Sequence, residues 1–129
     1  MIGKAIYSKL YGTANISAIV GNRIYPDMAT QDATYPFIVY TVDGTDPTDV
    51  KDSVSPLDIV NVSIAMYADT YSVVTDLAEK IRTALDRMTG TFEGMVIQGC
   101  RFSGQSSGDM HLDKHIFVIE QEYRFRQNR

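Results

Sequence analysis

Apolar residues recur at helical spacing in two parts of this chain. Near the start, the spacing predicts a helix that Gly12 ends. Its buried face would consist of Ile2, Ala5, Ile6 and Leu10. The clearer pattern predicts a helix that Asp69 or Thr70 caps and that Gly90 ends. Its single apolar stripe would consist of Val74, Leu77, Ala78, Ile81, Leu85 and Met88. Between these two main helices, Asn15 is a candidate N-cap for one short helical turn.

Four other segments carry strand patterns. FIVYTV and MVIQGCRF are short runs rich in β-branched or aromatic residues. LDIVNVSIAMYA alternates, and it would bury Val60, Val62, Ile64 and Met66. In the last segment, Phe117, Ile119, Tyr123 and Phe125 alternate with Glu120, Glu122, Arg124 and Arg126. The order of helix, strands, helix and strands predicts an α+β fold. We expect a single domain over residues 1–129, in which two main helices cover one face of a largely antiparallel sheet of about four to five strands.

Composition and charge limit the function classes. The 129 residues are 44% hydrophobic and 22% charged, which is enough for an ordinary core. The net charge is −4, and no cluster of Lys and Arg forms a basic stripe. Because proteins that grip phosphates depend on such clusters, direct nucleic-acid binding is disfavoured. A mildly acidic surface would instead let DNA slide past without sticking.

The single cysteine and the N-terminal segment indicate where the protein is made. Cys100 has no second cysteine for an intrachain disulfide or for a multi-cysteine zinc site, so we expect a small buried hydrophobe. MIGKAIYSKLYG is too polar for a signal peptide, and no apolar run is long enough to span a membrane. The expectation is a soluble protein made in a reducing compartment.

The stretch DGTDPTDVKD places four aspartates three residues apart, at Asp43, Asp46, Asp49 and Asp52. An EF-hand calcium loop needs acids at positions one, three and five and a glutamate at position twelve, so the spacing does not fit. A three-residue step also alternates faces in a strand, and regular structure would not bring these acids together. We predict an exposed, mobile loop over residues 43–56 that contacts a partner.

Two further fragments resemble reactive sites. GQSSG matches the nucleophile-elbow pattern around Ser106, but the segment after it has no helical stripe, which that motif requires. The same Gly/Ser/Asp-rich region, residues 103–113, is predicted to be a loop. In DMHLDKH, an extended backbone would point Asp109, His111, Asp113 and His115 to one face, where they are candidates for holding a divalent ion. The alternative is a solvated loop before the last strand. No phosphate loop, zinc pattern or dinucleotide fingerprint is found, and we expect no cofactor.

Several segments in order carry a resemblance to a known family. They are IGKAIYSKL, IVGNRIYPDMA, YPFIVYTVDGTDPTDVKD and SPLDIVNVSIAMYADTYSVVTDLAEKIRTALD, followed by the strands IQGCRF and EQEYRF. Together they resemble the tail-completion, or tail-terminator, proteins of long-tailed bacteriophages. The resemblance implies a structural virion protein without catalytic residues, made in the bacterial host cytoplasm. It also implies an α+β subunit of a ring, commonly a hexamer, that caps the tail tube and joins it to the head connector or neck proteins. DNA would pass through the channel without specific binding.

In such a ring subunit, two groups of residues are candidate partner contacts. They are Asp46, Asp49, Lys51 and Asp52 in the acidic stretch, and Glu120, Glu122, Arg124 and Arg126 on the last strand. The acids would repel DNA phosphates or pair with basic residues of a partner. Two alternatives stay open at this point. One is another head–tail connector or neck protein, and the other is a small metal-binding protein or enzyme that uses the Asp109 to His115 fragment.

Overall fold

The computed structural model describes residues 2–29, 33–50, 53–92, 94–109 and 116–128, with the backbone alone for 46–50, 53–57, 107–109 and 128. Its helices are α1 (Ile2–Gly12), α2 (Ala14–Val20) and α3 (Tyr71–Leu85). Its strands are β1 (Ile24–Pro26), β2 (Phe37–Val50), β3 (Ser53–Ala68), β4 (Gly90–Phe92), β5 (Met95–Asp109) and β6 (Phe117–Asn128).

All six described strands form one sheet in the order β1-β2-β3-β6-β5-β4. The β1–β2 pair is parallel and the other four pairs are antiparallel. The predicted α+β class and largely antiparallel sheet are confirmed. The described sheet has six strands where about four to five were expected, because β1 and β4 are only three residues long and too short to show a period.

The core lies between the helices and one face of the sheet. On that face, β3 pairs with β6 so that Val60 meets Phe125 and Val62 meets Tyr123. The predicted apolar sets of α1, β3 and α3 are all buried, with Met88 at 6% the most exposed of them. These side chains belong to one continuous apolar cluster with the buried residues of β5 and β6. The core predicted from spacing is therefore confirmed.

The ends of the helices differ from the prediction. Thr70 is at the N-cap position of α3 but makes no side-chain capping bond, and α3 ends at Leu85 instead of at Gly90. The turn after Leu85 is held by β5: the amide of Phe102 donates to Oδ1 of Asp86 at 3.0 Å, and the amide of Arg87 donates to the Cys100 carbonyl at 2.7 Å. Tertiary hydrogen bonds end this helix before its glycine does. Likewise, α2 starts after Thr13 and not after Asn15.

Two predicted loops are strands for most of their length. The acidic stretch 43–56 is part of a β2–β3 hairpin, of which 51–52 lie outside the described residues. In the region 103–113, β5 continues to Asp109, and 110–115 lie outside the described residues. Gly, Asp, Ser and Pro are depleted in strands, so composition favoured loops, but pairing with a neighbouring strand overrides that preference. Pro47 is tolerated since β1 covers only residues 38–40 of β2 and leaves the rest as an edge.

Candidate interaction surface

The face of the sheet opposite the helices carries the charged residues predicted on the last strand. Along β6, the buried side chains Ile119, Gln121, Tyr123 and Phe125 alternate with exposed Glu120, Glu122, Arg124 and Arg126. Because alternate residues of a strand point to opposite faces, these four charges share the open face. We call them the charged row. Read along β6, the row has two negative charges followed by two positive charges.

Small residues are the cross-strand neighbours of the two glutamates in the charged row. Glu120 lies between Ala65 of β3 and Ser106 of β5. Glu122 lies between Ser63 and Gly104 in the same way. Cross-strand partners point to the same face, so short side chains lie directly beside the two glutamates on both neighbouring strands. A Cβ added at Gly104 would have no heavy atom within 4 Å, which shows that the space above β5 is open there.

A third arginine joins the positive end of the row. Arg101 of β5 is directly opposite Arg124 and is exposed. Arg101, Arg124 and Arg126 border a pocket of about 320 Å³. Its other lining residues are Ile59, Gly99 and Cys100. Like charges directly opposite each other destabilise a sheet, so the Arg101–Arg124 pairing carries a cost for the subunit. The sequence did not single out Arg101, because its importance comes from its β6 partner, which the MVIQGCRF pattern does not reveal.

A third acid, Asp43 of β2, lies near Glu122. Its carboxylate accepts a hydrogen bond from the hydroxyl of Ser63, the cross-strand partner of Glu122. Asp43 and Glu122 also border one pocket of about 350 Å³. Glu120 and Glu122 therefore lie at one end of the row and three arginines at the other, with Asp43 two strands away beside the middle of the row. In the described part of the chain the one salt bridge is Lys80 to Asp76, at 2.8 Å on α3, so none of these six groups has an ion-pair partner there.

The other predicted site residues are only partly placed. Asp46 and Asp49 lie in β2 opposite Ile59 and Val54, in a stretch whose backbone alone is described. Lys51 and Asp52 lie outside the described residues, as do His111, Asp113 and His115, while Asp109 ends β5. Among the residues that the structure describes, no group of three or more His, Cys, Asp or Glu side chains is arranged to hold a metal ion.

The nucleophile-elbow pattern is not an elbow in the folded chain. Gly104 to Gly108 lie within β5 and pair with β6, with Ser106 opposite Glu120. A nucleophile elbow needs a sharp turn from a strand into a helix, and here the strand continues through the motif. Ser106 is therefore a residue of the open sheet face.

Cys100 and Tyr123 are held in their protonated forms by burial. Cys100 is buried, and burial raises the pKa of its thiol to about 12, with the nearby Asp86 adding to the shift. A thiol with so high a pKa has almost no thiolate at neutral pH and is unreactive. Burial also raises the pKa of Tyr123. The expected role of Cys100 as a small buried hydrophobe is confirmed.

The described helices include none that is both long enough and apolar enough to cross a membrane. The longest, α3, has 15 residues and is amphipathic, with its apolar side in the core. Its exposed side carries the Asp76–Lys80 pair.

Comparisons with known proteins agree with this fold. The model of the family described as "Tail completion protein gp17" matches residues 4–128. A chain from a solved structure of the virion of a native gene transfer agent particle is similar, with a TM-score of 0.81, 15% identity, and coverage of 97% of this chain and 92% of that chain. A second solved structure has a TM-score of 0.52 at 15% identity, covering 96% of this chain and 92% of that one. No curated protein sequence matches. At these identities the structures show the fold alone.

Proposed function

The chain belongs to the tail completion protein gp17 family, and from that premise we propose that it caps the phage tail tube, ends tail polymerisation and forms the interface at which tail joins head. The observation that carries the proposal is the family match over residues 4–128, which covers nearly all of the chain. The protein is a structural component of a phage virion and not an enzyme. We further propose that residues 1–129 act as one tail-completion domain.

The proposed assembly is a head-to-tail ring, with the hexamer as its expected form, built from two different surfaces on each subunit. A ring of this kind closes when one surface fits the other and the rotation between subunits is suitable. One surface is the charged row. The other is the acidic hairpin with Asp46, Asp49, Lys51 and Asp52. Two features support the use of the hairpin in contacts. The described pairing between β3 and β6 begins at Leu57, so the hairpin extends past the end of β6. An isolated two-stranded hairpin is only marginally stable in water, and a contact with a neighbouring subunit would stabilise it.

The proposed partners follow from the place of the ring. One side of the ring would meet the tail tube protein and the other the head connector or neck proteins. DNA would pass the channel without specific binding, which agrees with the net charge of −4. Synthesis in the host cytoplasm would precede incorporation into the virion.

A binding assay with purified components tests this proposal. Purified tail tubes are mixed with the protein and imaged by negative-stain electron microscopy, beside isolated head connectors treated in the same way. We expect added density at one end of each tube and no density along its length. Binding to connectors without any binding to tubes would contradict capping and would support a different neck protein.

A further inference from the structure

The charges on the open face are arranged so that the face is complementary to itself. Along β6 the order is Glu120, Glu122, Arg124, Arg126, and Arg101 of β5 adds a third arginine directly opposite Arg124. A two-fold axis lying in the interface and crossing β6 at Tyr123 would reverse the strand direction of a second copy. Negative residues of each copy would then face positive residues of the other.

From this arrangement we propose that free subunits pair face to face through the charged row, with a second copy of this chain as the occupant of the open face. Glu120 would meet Arg126 of the second copy and Glu122 would meet its Arg124, and both contacts would occur twice. A two-fold interface uses the same patch on both subunits, so self-complementarity is what such an interface requires. The pair goes beyond the proposed function and does not depend on it.

The shape of the face allows the two rows to approach. Packed sheets lie roughly 10 Å apart, a gap that glutamate and arginine side chains can bridge from both sides. The short side chains of Ala65, Ser63 and Ser106, with Gly104, leave room beside the glutamates for the arginines of the second copy. The open space above Gly104 is part of this room. Pairing would also supply carboxylates to Arg101 and Arg124, which face each other without an acid in the described part of the subunit.

Face-to-face pairing would bury the charged row and prevent it from contacting other surfaces. Because the proposed ring uses the same row against a neighbouring subunit, face-to-face pairs and rings would exclude each other. Exposed ion pairs are weak and are screened by salt, so the pair would separate as the ionic strength rises. The row would thus be covered in free protein and would become available when a competing surface replaces the second copy.

Sedimentation equilibrium tests the pair, since it separates a mass of two subunits from one or six. At roughly 0.01 M salt, where charges interact over about 30 Å, we expect the mass of two subunits, and at about 1 M salt the mass of one. Glu120→Arg with Glu122→Arg should give a monomer, as should Arg124→Glu with Arg126→Glu. An equimolar mixture of these two variants should recover the mass of two. A control with the same change in net charge, Asp69→Arg with Glu79→Arg, should pair like the original protein.

The outcomes separate this inference from the proposed ring. Three results would overturn the proposed pairing: a monomer at low salt, pairing that survives either charge reversal, and a mixture of the two variants that stays monomeric. None of them would change the result of the tube-capping assay. A mass of six at low salt would also overturn it, in favour of direct ring formation. If a charge-reversed variant fails to fold, Gly104→Phe provides the test, because its Cβ meets nothing in the subunit. That variant should melt like the original protein and should not pair; a Gly104→Phe protein that still pairs contradicts the proposal.

Discussion

The hydroxyl group of Tyr123 donates a hydrogen bond to Oε1 of Gln121 at 2.7 Å, and both side chains are fully buried between β6 and α3. Nε2 of Gln121 donates to the carbonyl of Ala78 in α3 at 3.0 Å and to Oε1 of Gln105 in β5 at 2.9 Å. One buried amide therefore connects the helix to two strands. Since its hydrogen-bonding groups are satisfied, it specifies how α3 lies on the sheet at a small cost in burial.

Replacing Gln121 with leucine should destabilise the fold although the two side chains are similar in volume. The hydroxyl of Tyr123 would lose its acceptor inside the core, and an unsatisfied buried group costs about 1–3 kcal/mol. In a Tyr123→Phe background the same change should cost about 1 kcal/mol less, because no hydroxyl is left without a partner. Urea unfolding of the two single variants and the double variant measures this coupling. Strictly additive effects would show that the bond does not contribute.

Leu77→Asp should lower the free energy of unfolding by about 3 kcal/mol or more, since it places an unpaired charge in the core. Leu77 has no exposed surface and faces the sheet from the middle of α3. The matched control is Thr83→Asp on the exposed side of the same helix, for which we expect a change within about 0.5 kcal/mol. Thermal melting monitored by circular dichroism compares the two. Equal melting of Leu77→Asp and the original protein would remove Leu77 from the core.

Stability should fall in alkaline solution partly through Cys100. Its pKa is about 12 in the folded protein against an ordinary value of 9.0, so the unfolded chain loses this proton first. The contribution of Cys100 is fully present below pH 9.0 and is lost as the pH rises toward 12, with a slope of at most roughly 1.4 kcal/mol per pH unit. Cys100→Ala should make the decline above pH 9 shallower. Parallel unfolding curves for the two proteins across this range would contradict the shift.

The alternation of apolar and polar residues was enough to predict the buried faces but not the lengths of the strands. Val60 to Met66 and the α3 stripe were identified because burial on one face leaves a period in the sequence. The continuation of β2 past Asp43 and of β5 past Ser103 was missed, since those residues favour turns and are held by pairing with β3 and β6. Pairing between segments that are distant in the chain decides whether such residues form a strand. The local sequence gives little indication of that pairing.

Only part of the candidate surface could be predicted from the sequence. The charged row followed from alternation along β6, whereas Arg101 and Asp43 join it only through the order of strands in the sheet. Both lie on other strands and at β-bulges or next to them, where a period of two is interrupted. Reading a period across such a bulge assigns residues to the wrong face, which explains why Arg101 was not singled out and why Asp43 was assigned to a loop instead of to this face.

Charge reversal in the acidic hairpin should affect joining and not folding. With Asp46, Asp49 and Asp52 all replaced by lysine, we expect an unchanged melting temperature and tails that fail to join heads, because the proposed contact with a basic surface would become repulsive. The same change in net charge made at Asp69, Asp76 and Glu79, near and on α3, is the control and should leave joining intact. Electron microscopy of lysates counts joined and separate particles. Normal joining with the hairpin variant would mean that its acids are solvated surface.

Deletion of this gene from the phage that carries it tests the central claim most directly, with the gene supplied in trans as the comparison. If the protein ends tail polymerisation and joins the tail to the head, the deletion should give filled heads without tails and free tails of irregular, extended length. Expression of the original protein should restore tails of uniform length attached to heads. Uniform, attached tails and full infectivity in the absence of the gene would contradict the proposed function.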